Sequence, residues 1–230
     1  MNLKPGIYNI YKPAGPTSHD IVDQVRKISG EKRVGHAGTL DPFAEGILII
    51  AIGREYTKKL DQFLKQDKTY HATLRLGAVS DTHDLTGKIY PVKSGEAGTA
   101  KRLFDRVNPP TRKQITEALK KFKGEIEQTP PSFSAIKLAG QRSYILARKG
   151  ITPKLQPRKV KVYTLKIVKY RWPHLEIETK VSSGTYIRAL AHDLGQTLGT
   201  GAYLEKLIRT KIGRFKLDNS LVLDKINIIR

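Results

Sequence analysis

The stretch that decides the fold runs from Gly35 to Gly53 and reads GHAGTLDPFAEGILIIAIG. Its second half, Gly46 to Ile52, is almost wholly apolar and predicts a short strand buried on both faces. Its first half is broken by glycines and a proline, which predicts a loop rather than a helix or a strand. One carboxylate, Asp41, and one imidazole, His36, therefore lie on a turn that leads directly into the core.

Chemically capable groups on a loop that a rigid element holds are the usual arrangement of an active site. An aspartate before a proline is also a common turn residue, whose side chain caps the local backbone. The stretch alone leaves both interpretations of Asp41 open.

Composition bounds the class of protein. The chain has 230 residues, enough for one large domain or two small ones. It has no cysteine, which excludes disulfides, thiolate nucleophiles and cysteine zinc sites. No apolar run approaches the ~20 residues of a membrane span, and the N-terminus has no signal-peptide core. We therefore expect a soluble, cytoplasmic protein that is a monomer or associates weakly.

The net charge indicates a polyanionic partner. Lysine and arginine total 42 against 21 acidic residues, which gives a charge of +21. The tract from Gln128 to Leu175 contains 11 of these basic residues and no aspartate or glutamate. A solvated helix normally mixes its signs, so a simple surface explanation fits this tract poorly. The sustained positive charge instead favours contact with nucleic acid. An anionic membrane would instead favour a basic amphipathic helix, and the tract predicts mainly loops and strands.

Several common motifs are absent from the sequence. It contains no G-x-x-x-x-G-K-[ST], no G-x-G-x-x-G and no G-x-S-x-G, which excludes a P-loop, a dinucleotide fingerprint and a nucleophile elbow. The six histidines show no H-x-x-x-H spacing, so we expect no zinc site. The run from Gly35 to Gly38 matches the G-x-x-G of a KH module, but a KH loop joins two helices and this run leads into a predicted strand.

A second polar element lies at Ser183 to Arg188, where a helix is predicted to begin. Arg188 falls one turn inside that helix beside apolar neighbours, so its guanidinium is expected to be partly buried and to need a carboxylate. Asp41 is the candidate partner, although sequence spacing cannot show the contact. A neighbouring cation would keep Asp41 ionised, and an ionised, oriented carboxylate acts as a nucleophile or a base. A purely structural buried ion pair is the alternative.

Lys68 to Gly77 alternates between apolar and polar residues, which predicts a half-exposed strand. Tyr70 lies on the apolar face of this strand near its start. From the residues alone, Tyr70 is interpreted as a core aromatic.

At this point the residues resemble a known family, the TruB-type tRNA pseudouridine synthases. Five motifs carry the resemblance, in order, over about 190 residues. They are Tyr8-Asn9-Ile10-Tyr11-Lys12-Pro13 with Gly15-Pro16-Thr17-Ser18; His36-Ala37-Gly38-Thr39-Leu40-Asp41-Pro42; Lys68-Thr69-Tyr70 with Asp81-Thr82-His83-Asp84; Pro130-Pro131 with Ser134-Ala135-Ile136-Lys137; and Gly184-Thr185-Tyr186-Ile187-Arg188 with His192-Asp193.

The resemblance implies an enzyme that isomerises uridine 55 in the TΨC loop of tRNA to pseudouridine. It implies base flipping, cleavage of the N-glycosidic bond and rejoining through carbon, without metal or cofactor. The implied fold is α+β: one pseudouridine-synthase-like domain with a central mixed, mostly antiparallel sheet, flanking helices and an RNA-binding cleft. We expect this catalytic domain to span residues 1–230, with the PUA domain of many relatives absent or truncated.

The resemblance also assigns roles to individual residues. It makes Asp41 the catalytic aspartate, Arg188 its partner and Tyr70 the aromatic that stacks on the target base, which reverses the core interpretation of Tyr70. The residues it places against the substrate are His36, Gly38, Thr39, Leu40, Lys137 and Tyr186. The partner is then the T arm of tRNA, with the basic tract tracking its phosphates.

Two alternatives remain open at this stage. One is a guide-RNA-dependent relative that modifies ribosomal RNA by the same chemistry. The other is a non-catalytic protein that binds or folds tRNA in the same cleft.

Overall fold

The computed structural model describes residues 3–92, 107–134, 136–138, 140–151, 153 and 155–223. The chain divides into two compact units, which we call the first unit (Met1–His71 with Leu207–Arg230) and the second unit (Ala72–Lys206). The prediction of a single catalytic domain over residues 1–230 stays a prediction, since two compact units are compatible with one domain or with two.

The strands are β1 (Gly6–Lys12), β2 (Val34–Ala37), β3 (Glu45–Ile52), β4 (Lys68–Leu76), β5 (Ala78–Ser80), β6 (Ile89–Pro91), β7 (Gly124–Gln128), β8 (Lys137–Leu138), β9 (Gln141–Arg142), β10 (Arg158–Arg171), β11 (His174–Val181), β12 (Ala202–Ile212) and β13 (Phe215–Lys216). The helices are α1 (Ser18–Ser29), α2 (Arg54–Thr57), α3 (Leu60–Leu64), α4 (Arg112–Lys120), α5 (Ser143–Arg148) and α6 (Ile187–Thr197), and a 3₁₀ turn covers Leu217–Asn219. No helix within the described ranges is long and apolar enough to cross a bilayer.

Strand β3 is the centre of the first unit. It pairs antiparallel with β1 and β2 and parallel with β12, so the sheet is mixed as predicted. Residues Ile47 to Ile52 have no exposed surface, which confirms the strand buried on both faces. One face packs on α1 and the other contacts Phe63 of α3.

Helix α1 begins and ends where its sequence dictates. Thr17 and Asp20 form a capping box that satisfies two backbone donors of the first turn, and Gly30 ends the helix in the left-handed conformation at φ 68°. Between these signals Ile21, Val22 and Val25 face the core, as their helical spacing predicts.

The prediction of a loop for the first half of the Gly35–Gly53 stretch is wrong for residues 35–37. These residues belong to β2, and His36 lies opposite Ile50 of β3. Gly35 signals close packing here rather than a break, because a Cβ at this position would lie 3.0 Å from Leu60 Cδ1 of α3. Only residues 38–44 remain as the loop that joins β2 to β3.

In the second unit, β10 pairs antiparallel with both β7 and β11, and α4 and α6 contact each other. The start of α6 is fixed by Gln128, the last residue of β7. Its side chain donates from Nε2 to the Tyr186 carbonyl at 3.0 Å and accepts from the Tyr186 amide at 2.8 Å. These two hydrogen bonds fix the backbone of Tyr186 just before α6, and they thereby position Arg188 in the first turn of that helix. Together the two units confirm the mixed α+β class.

Candidate active site

A fully buried lysine holds the loop that carries Asp41. Lys12, the last residue of β1, donates from Nζ to the carbonyls of Pro13 at 2.8 Å, Pro42 at 3.1 Å and Ala44 at 2.7 Å. An ammonium group has three N–H donors, so all three are used on the main chain around Asp41. The C-terminal end of the loop is therefore fixed by a buried side chain.

The same ammonium group contributes to the electrostatics of the loop. Burial lowers the pKa of Lys12 to about 8, and the Asp41 carboxylate acts in the opposite direction by favouring the charged form. Asp41 itself is half-buried, and its carbonyl accepts a hydrogen bond from the Ala44 amide at 3.0 Å. The aspartate thus sits on a tight turn with a buried cation close by.

A serine of α1 fixes the middle of the loop. Ser18 Oγ donates to the Leu40 carbonyl at 3.0 Å and accepts from the Leu40 amide at 2.9 Å, and both residues are buried. These two bonds link positions that lie 22 residues apart. The described contacts give Leu40 a structural role in the loop, and its predicted substrate contact stays a prediction.

Three residues form one row across β1, β3 and β12. Lys12 lies opposite Gly46, and Gly46 lies beside Arg209. Arg209 is 1% exposed, and its guanidinium donates from Nε to the Ile47 carbonyl at 2.8 Å and from Nη2 to the Gly38 carbonyl at 2.7 Å. Two buried cations, on either side of a glycine, therefore bind the two ends of the Asp41 loop through main-chain oxygens.

Replacing Gly46 with alanine is expected to lower the free energy of unfolding by about 3 kcal/mol or more. Gly46 has φ 107°, and a Cβ there would lie 2.3 Å from the Arg209 carbonyl oxygen, so backbone strain and a clash add together. Gly15→Ala is the matched control, because Gly15 has φ 108° but nothing within 4 Å of its Cβ position. It should cost about 1–2 kcal/mol. Urea unfolding of both variants measures the difference, and equal losses would contradict the close approach.

The remaining motif residues are Gly38 and Thr39, which begin the loop, and His36, which lies on β2 just before it. Thr39 is exposed, while Gly38 is half-buried with φ 76°. His36 is half-buried on β2, and its Nδ1 has no hydrogen-bond partner among the described residues. Burial and the nearby Arg209 guanidinium lower the pKa of His36, which favours the neutral ring.

Tyr70 lies two residues after Lys68 on β4, so both side chains face the same side of the sheet. Tyr70 is 7% exposed. Lys68 Nζ donates to the carbonyls of Leu64 and Gln66, both at 2.7 Å. A Cβ at Gly38 would lie 3.8 Å from Lys68 Cε and 3.4 Å from Arg209 Nη1. Tyr70 therefore shares its face with the cations beneath the loop.

Protein stability is expected to rise between pH 8 and pH 10. Burial lowers the pKa of Lys12 and of Lys68 to about 8, from 10.5. In that window the unfolded chain binds these protons and the folded chain does not, so each lysine adds up to about 1.4 kcal/mol per pH unit. Above pH 10 the sign reverses for Tyr11, because its hydrogen bond to Glu45 and its burial raise its pKa to about 12. Urea titrations at pH 8, 9 and 10 measure the slope.

Lys12→Met should remove about half of that slope while Lys68 keeps the rest. A slope that is unchanged in Lys12→Met would show that other groups cause the pH dependence.

In the second unit, Arg188 is buried and paired with a carboxylate, as its position predicts. The partner in this unit is Asp84, whose Oδ2 lies 3.2 Å from Arg188 Nη1. Arg188 is 5% exposed and Asp84 is 2% exposed. Arg188 Nη2 also donates to the Phe133 carbonyl at 3.0 Å.

Asp84 is held by its own loop. Its Oδ1 accepts hydrogen bonds from Thr82 Oγ1 at 2.8 Å and from the Thr86 amide at 2.9 Å. Sequence reasoning quoted Asp84 within a motif but gave it no role, because the helix that carries its partner begins about 100 residues later. The sequence signal that could have indicated a role for Asp84 is the motif Asp81-Thr82-His83-Asp84, which directly follows β5. The predicted pairing of Arg188 with Asp41 stays a prediction.

Two predicted substrate contacts lie on the second unit. Tyr186 is half-buried at the start of α6, where Gln128 binds its backbone. Lys137 belongs to β8, but its side chain lies outside the described part of the structure. Their predicted roles rest on the resemblance.

The acid-free tract is less basic in the structure than in the sequence. Lysines of β10 lie directly opposite glutamates of the neighbouring strands: Lys159 opposite Glu127, Lys161 opposite Glu125, Lys166 opposite Glu178 and Lys169 opposite Glu176. One ion pair forms diagonally, with Lys159 Nζ 3.2 Å from Glu125 Oε1. The expectation that an ordinary mixed surface fits this tract poorly is wrong for β10, because cross-strand neighbours supply the missing acids.

Comparison with known proteins identifies the class. Residues 26–187 match the TruB family of pseudouridylate synthases (N terminal domain). Residues 188–228 match the C-terminal domain of tRNA pseudouridylate synthase B. The chain belongs to the TruB family of pseudouridylate synthases.

Individual relatives agree with this assignment. The chain is similar to tRNA pseudouridine synthase B of Protochlamydia amoebophila, with 45% identity over 216 residues, covering 94% of this chain and 77% of the relative. It is also similar to tRNA pseudouridine synthase B of Clostridium tetani, with 42% identity over 222 residues, covering 96% of this chain and 72% of the relative.

Solved structures show the same fold. A chain of a Cbf5-Nop10-Gar1 complex is 29% identical with a TM-score of 0.70, over 95% of this chain and 52% of that chain. A chain of an H/ACA RNP bound to a substrate RNA containing 2′-deoxyuridine is 27% identical with a TM-score of 0.68, over 95% and 51%. This chain spans about half the length of both solved chains.

Proposed function

We propose that this protein isomerises uridine 55 in the TΨC loop of tRNA to pseudouridine, with Asp41 as the catalytic carboxylate. The observation that carries the proposal is the Asp41 loop, whose backbone is bound by Lys12, Ser18 and Arg209. A loop whose backbone is fixed at so many points holds Asp41 in a defined place, and catalysis by a positioned group requires such a scaffold. The names of the curated relatives support tRNA as the substrate.

The chemistry needs an oriented carboxylate and no redox partner. The bond between uracil N1 and the ribose C1′ breaks, and a bond between uracil C5 and C1′ forms. The C5 proton leaves and N1 gains a proton, so atoms and charges balance. Asp41 acts on the ribose C1′ or C2′ or on uracil C6, and its carboxylate interacts electrostatically with the buried ammonium of Lys12.

The target base must leave the folded T loop before Asp41 can reach it. Extruding a nucleotide costs a few kcal/mol. Stacking of the base on an aromatic such as Tyr70 recovers about 1–3 kcal/mol. We assign Arg188 to support the carboxylate. We also assign substrate contacts to the residues that match the family motifs at these positions: His36, Gly38, Thr39, Leu40, Lys137 and Tyr186.

The proposal is tested with purified protein and an unmodified T-arm stem-loop RNA, without guide RNA. We expect complete conversion of the target uridine, detected by mass-labelled nucleoside analysis. Conversion without a guide would exclude the guide-dependent alternative. Salt-sensitive binding without any isomer would establish the non-catalytic alternative and overturn the proposal. Size-exclusion chromatography of the same protein tests the proposed monomer.

A further inference from the structure

The hairpin formed by β12 and β13 places like charges opposite each other. Lys211 pairs directly with Lys216 across the two strands, and both side chains are exposed. Cβ atoms of directly opposed residues lie ~5 Å apart, and like charges at that distance destabilise a sheet. Arg214 adds a third exposed cation at the turn. We call these three residues the basic hairpin.

No acidic side chain of the described residues forms an ion pair with the basic hairpin. The Arg214 guanidinium instead lies over the neighbouring aromatic ring, with its Cζ 5.5 Å from the centroid of Phe215. The contrast with β10 is direct, since the lysines there face glutamates of β7 and β11. The basic hairpin therefore carries uncompensated positive charge at a cost to the fold, which is the pattern of an anion-binding surface.

The basic hairpin is held firmly in place. The Gly213 amide donates to the Asp67 carbonyl at 3.1 Å, and Asn9 Nδ2 donates to the Lys216 carbonyl at 2.8 Å. Ile212 is buried in the same apolar cluster as Ile47, and Phe215 packs against it. The three cations are thus exposed on a backbone that is fixed from several sides.

The alternation of side chains puts Lys211 and Lys216 on the face of the first unit that the Asp41 loop covers. Arg209 reaches Gly38 of that loop from β12, and Lys211 follows two residues later on the same face. Lys216 shares this face because it directly opposes Lys211. Lys211 therefore lies only ~7 Å along β12 from the residue that binds the loop.

We infer that Lys211, Arg214 and Lys216 bind the phosphodiester backbone of the substrate RNA next to the extruded nucleotide. The inference rests on the proposed function, which makes RNA the polyanion at this face. Contacts of this kind fix the register of the strand without reading its bases. They also make binding depend on salt, because each neutralised phosphate releases counterions.

The test compares two triple variants with equal charge changes. The first replaces the basic hairpin (Lys211→Gln, Arg214→Gln and Lys216→Gln). The second replaces exposed lysines of β10 that face glutamates (Lys159→Gln, Lys161→Gln and Lys166→Gln). Affinity for the T-arm stem-loop is measured from 50 to 200 mM salt. Three lost phosphate contacts reduce the salt slope by about 2.1 with the single-strand coefficient and about 2.7 with the duplex coefficient, so wild-type affinity should fall across this range by roughly 20- to 40-fold more than that of the hairpin variant.

The expected result is a reduced slope for the hairpin variant and a wild-type slope for the β10 variant. The hairpin variant should keep a thermal midpoint equal to or above wild type, because neutral side chains relieve the Lys211–Lys216 repulsion. A wild-type slope in the hairpin variant, or an equal loss in both variants, would overturn the inference. Failure of this inference can be told apart from failure of the proposed function. If only the inference fails, the wild-type enzyme still converts the RNA, whereas failure of the proposed function leaves no product.

Discussion

Asp41→Asn is expected to lower turnover of the T-arm RNA by about 10²- to 10⁴-fold while RNA binding stays within about twofold of wild type. Asparagine keeps the size of the side chain but removes the charge and the basicity on which proton transfer or nucleophilic attack depends. The loop should stay in place, because Lys12 and Ser18 bind its backbone and not the Asp41 side chain. Single-turnover conversion with excess enzyme measures the chemical step.

Asp61→Asn is the matched control for this prediction. Asp61 is an exposed aspartate of α3 in the same unit, so it undergoes the same chemical change away from the loop. Its turnover should equal that of wild type. Conversion by Asp41→Asn at a rate near that of Asp61→Asn would refute the catalytic role and leave Asp41 as a turn residue.

The elements that could be predicted from the sequence are those that local information determines. The strand β3 follows from a run of apolar residues, and α1 follows from the Thr17–Asp20 capping box, its apolar stripe and Gly30. Each of these signals lies within about ten residues of the backbone that it shapes. Gly35 shows the limit of such reasoning, because a glycine can mark either a break or a close contact, and the contact here is with a helix that begins 25 residues later.

The supports of the candidate site could not be predicted because they are contacts between distant residues. Arg209 binds the Ile47 carbonyl 162 residues earlier in the chain, and Arg188 pairs with Asp84 across 104 residues. No periodicity encodes such pairs. The family motifs located Asp41 and Arg188, but they left Lys12, Ser18 and Arg209 without a role.

The charge of a surface depends on distant contacts in the same way. Composition adds charges along the chain, whereas the field at a surface depends on cross-strand neighbours. The tract around β10 is rich in lysine in sequence but lies between strands that carry glutamates. The segment from Lys206 to Lys216 reads as a basic strand in sequence, but only the β12–β13 pairing shows that two of its lysines directly oppose each other.

Arg188→Met is expected to lower the free energy of unfolding by about 3–5 kcal/mol. The substitution leaves the Asp84 carboxylate buried opposite an apolar side chain, and a buried charge without its partner is strongly destabilising. Thr82 and Thr86 continue to donate to Oδ1 but do not replace the guanidinium at Oδ2. Urea unfolding measures the loss.

The double variant Arg188→Met with Asp84→Asn separates the structural contribution of Arg188 from its proposed catalytic one. Removing both charges should recover most of the lost stability, since an apolar and a neutral side chain replace the pair. Turnover of the T-arm RNA should stay low in both variants, because neither restores the cation assigned to support Asp41, and RNA binding should change less than turnover. If the double variant regains stability and turnover together, Arg188 acts only through the fold of the second unit.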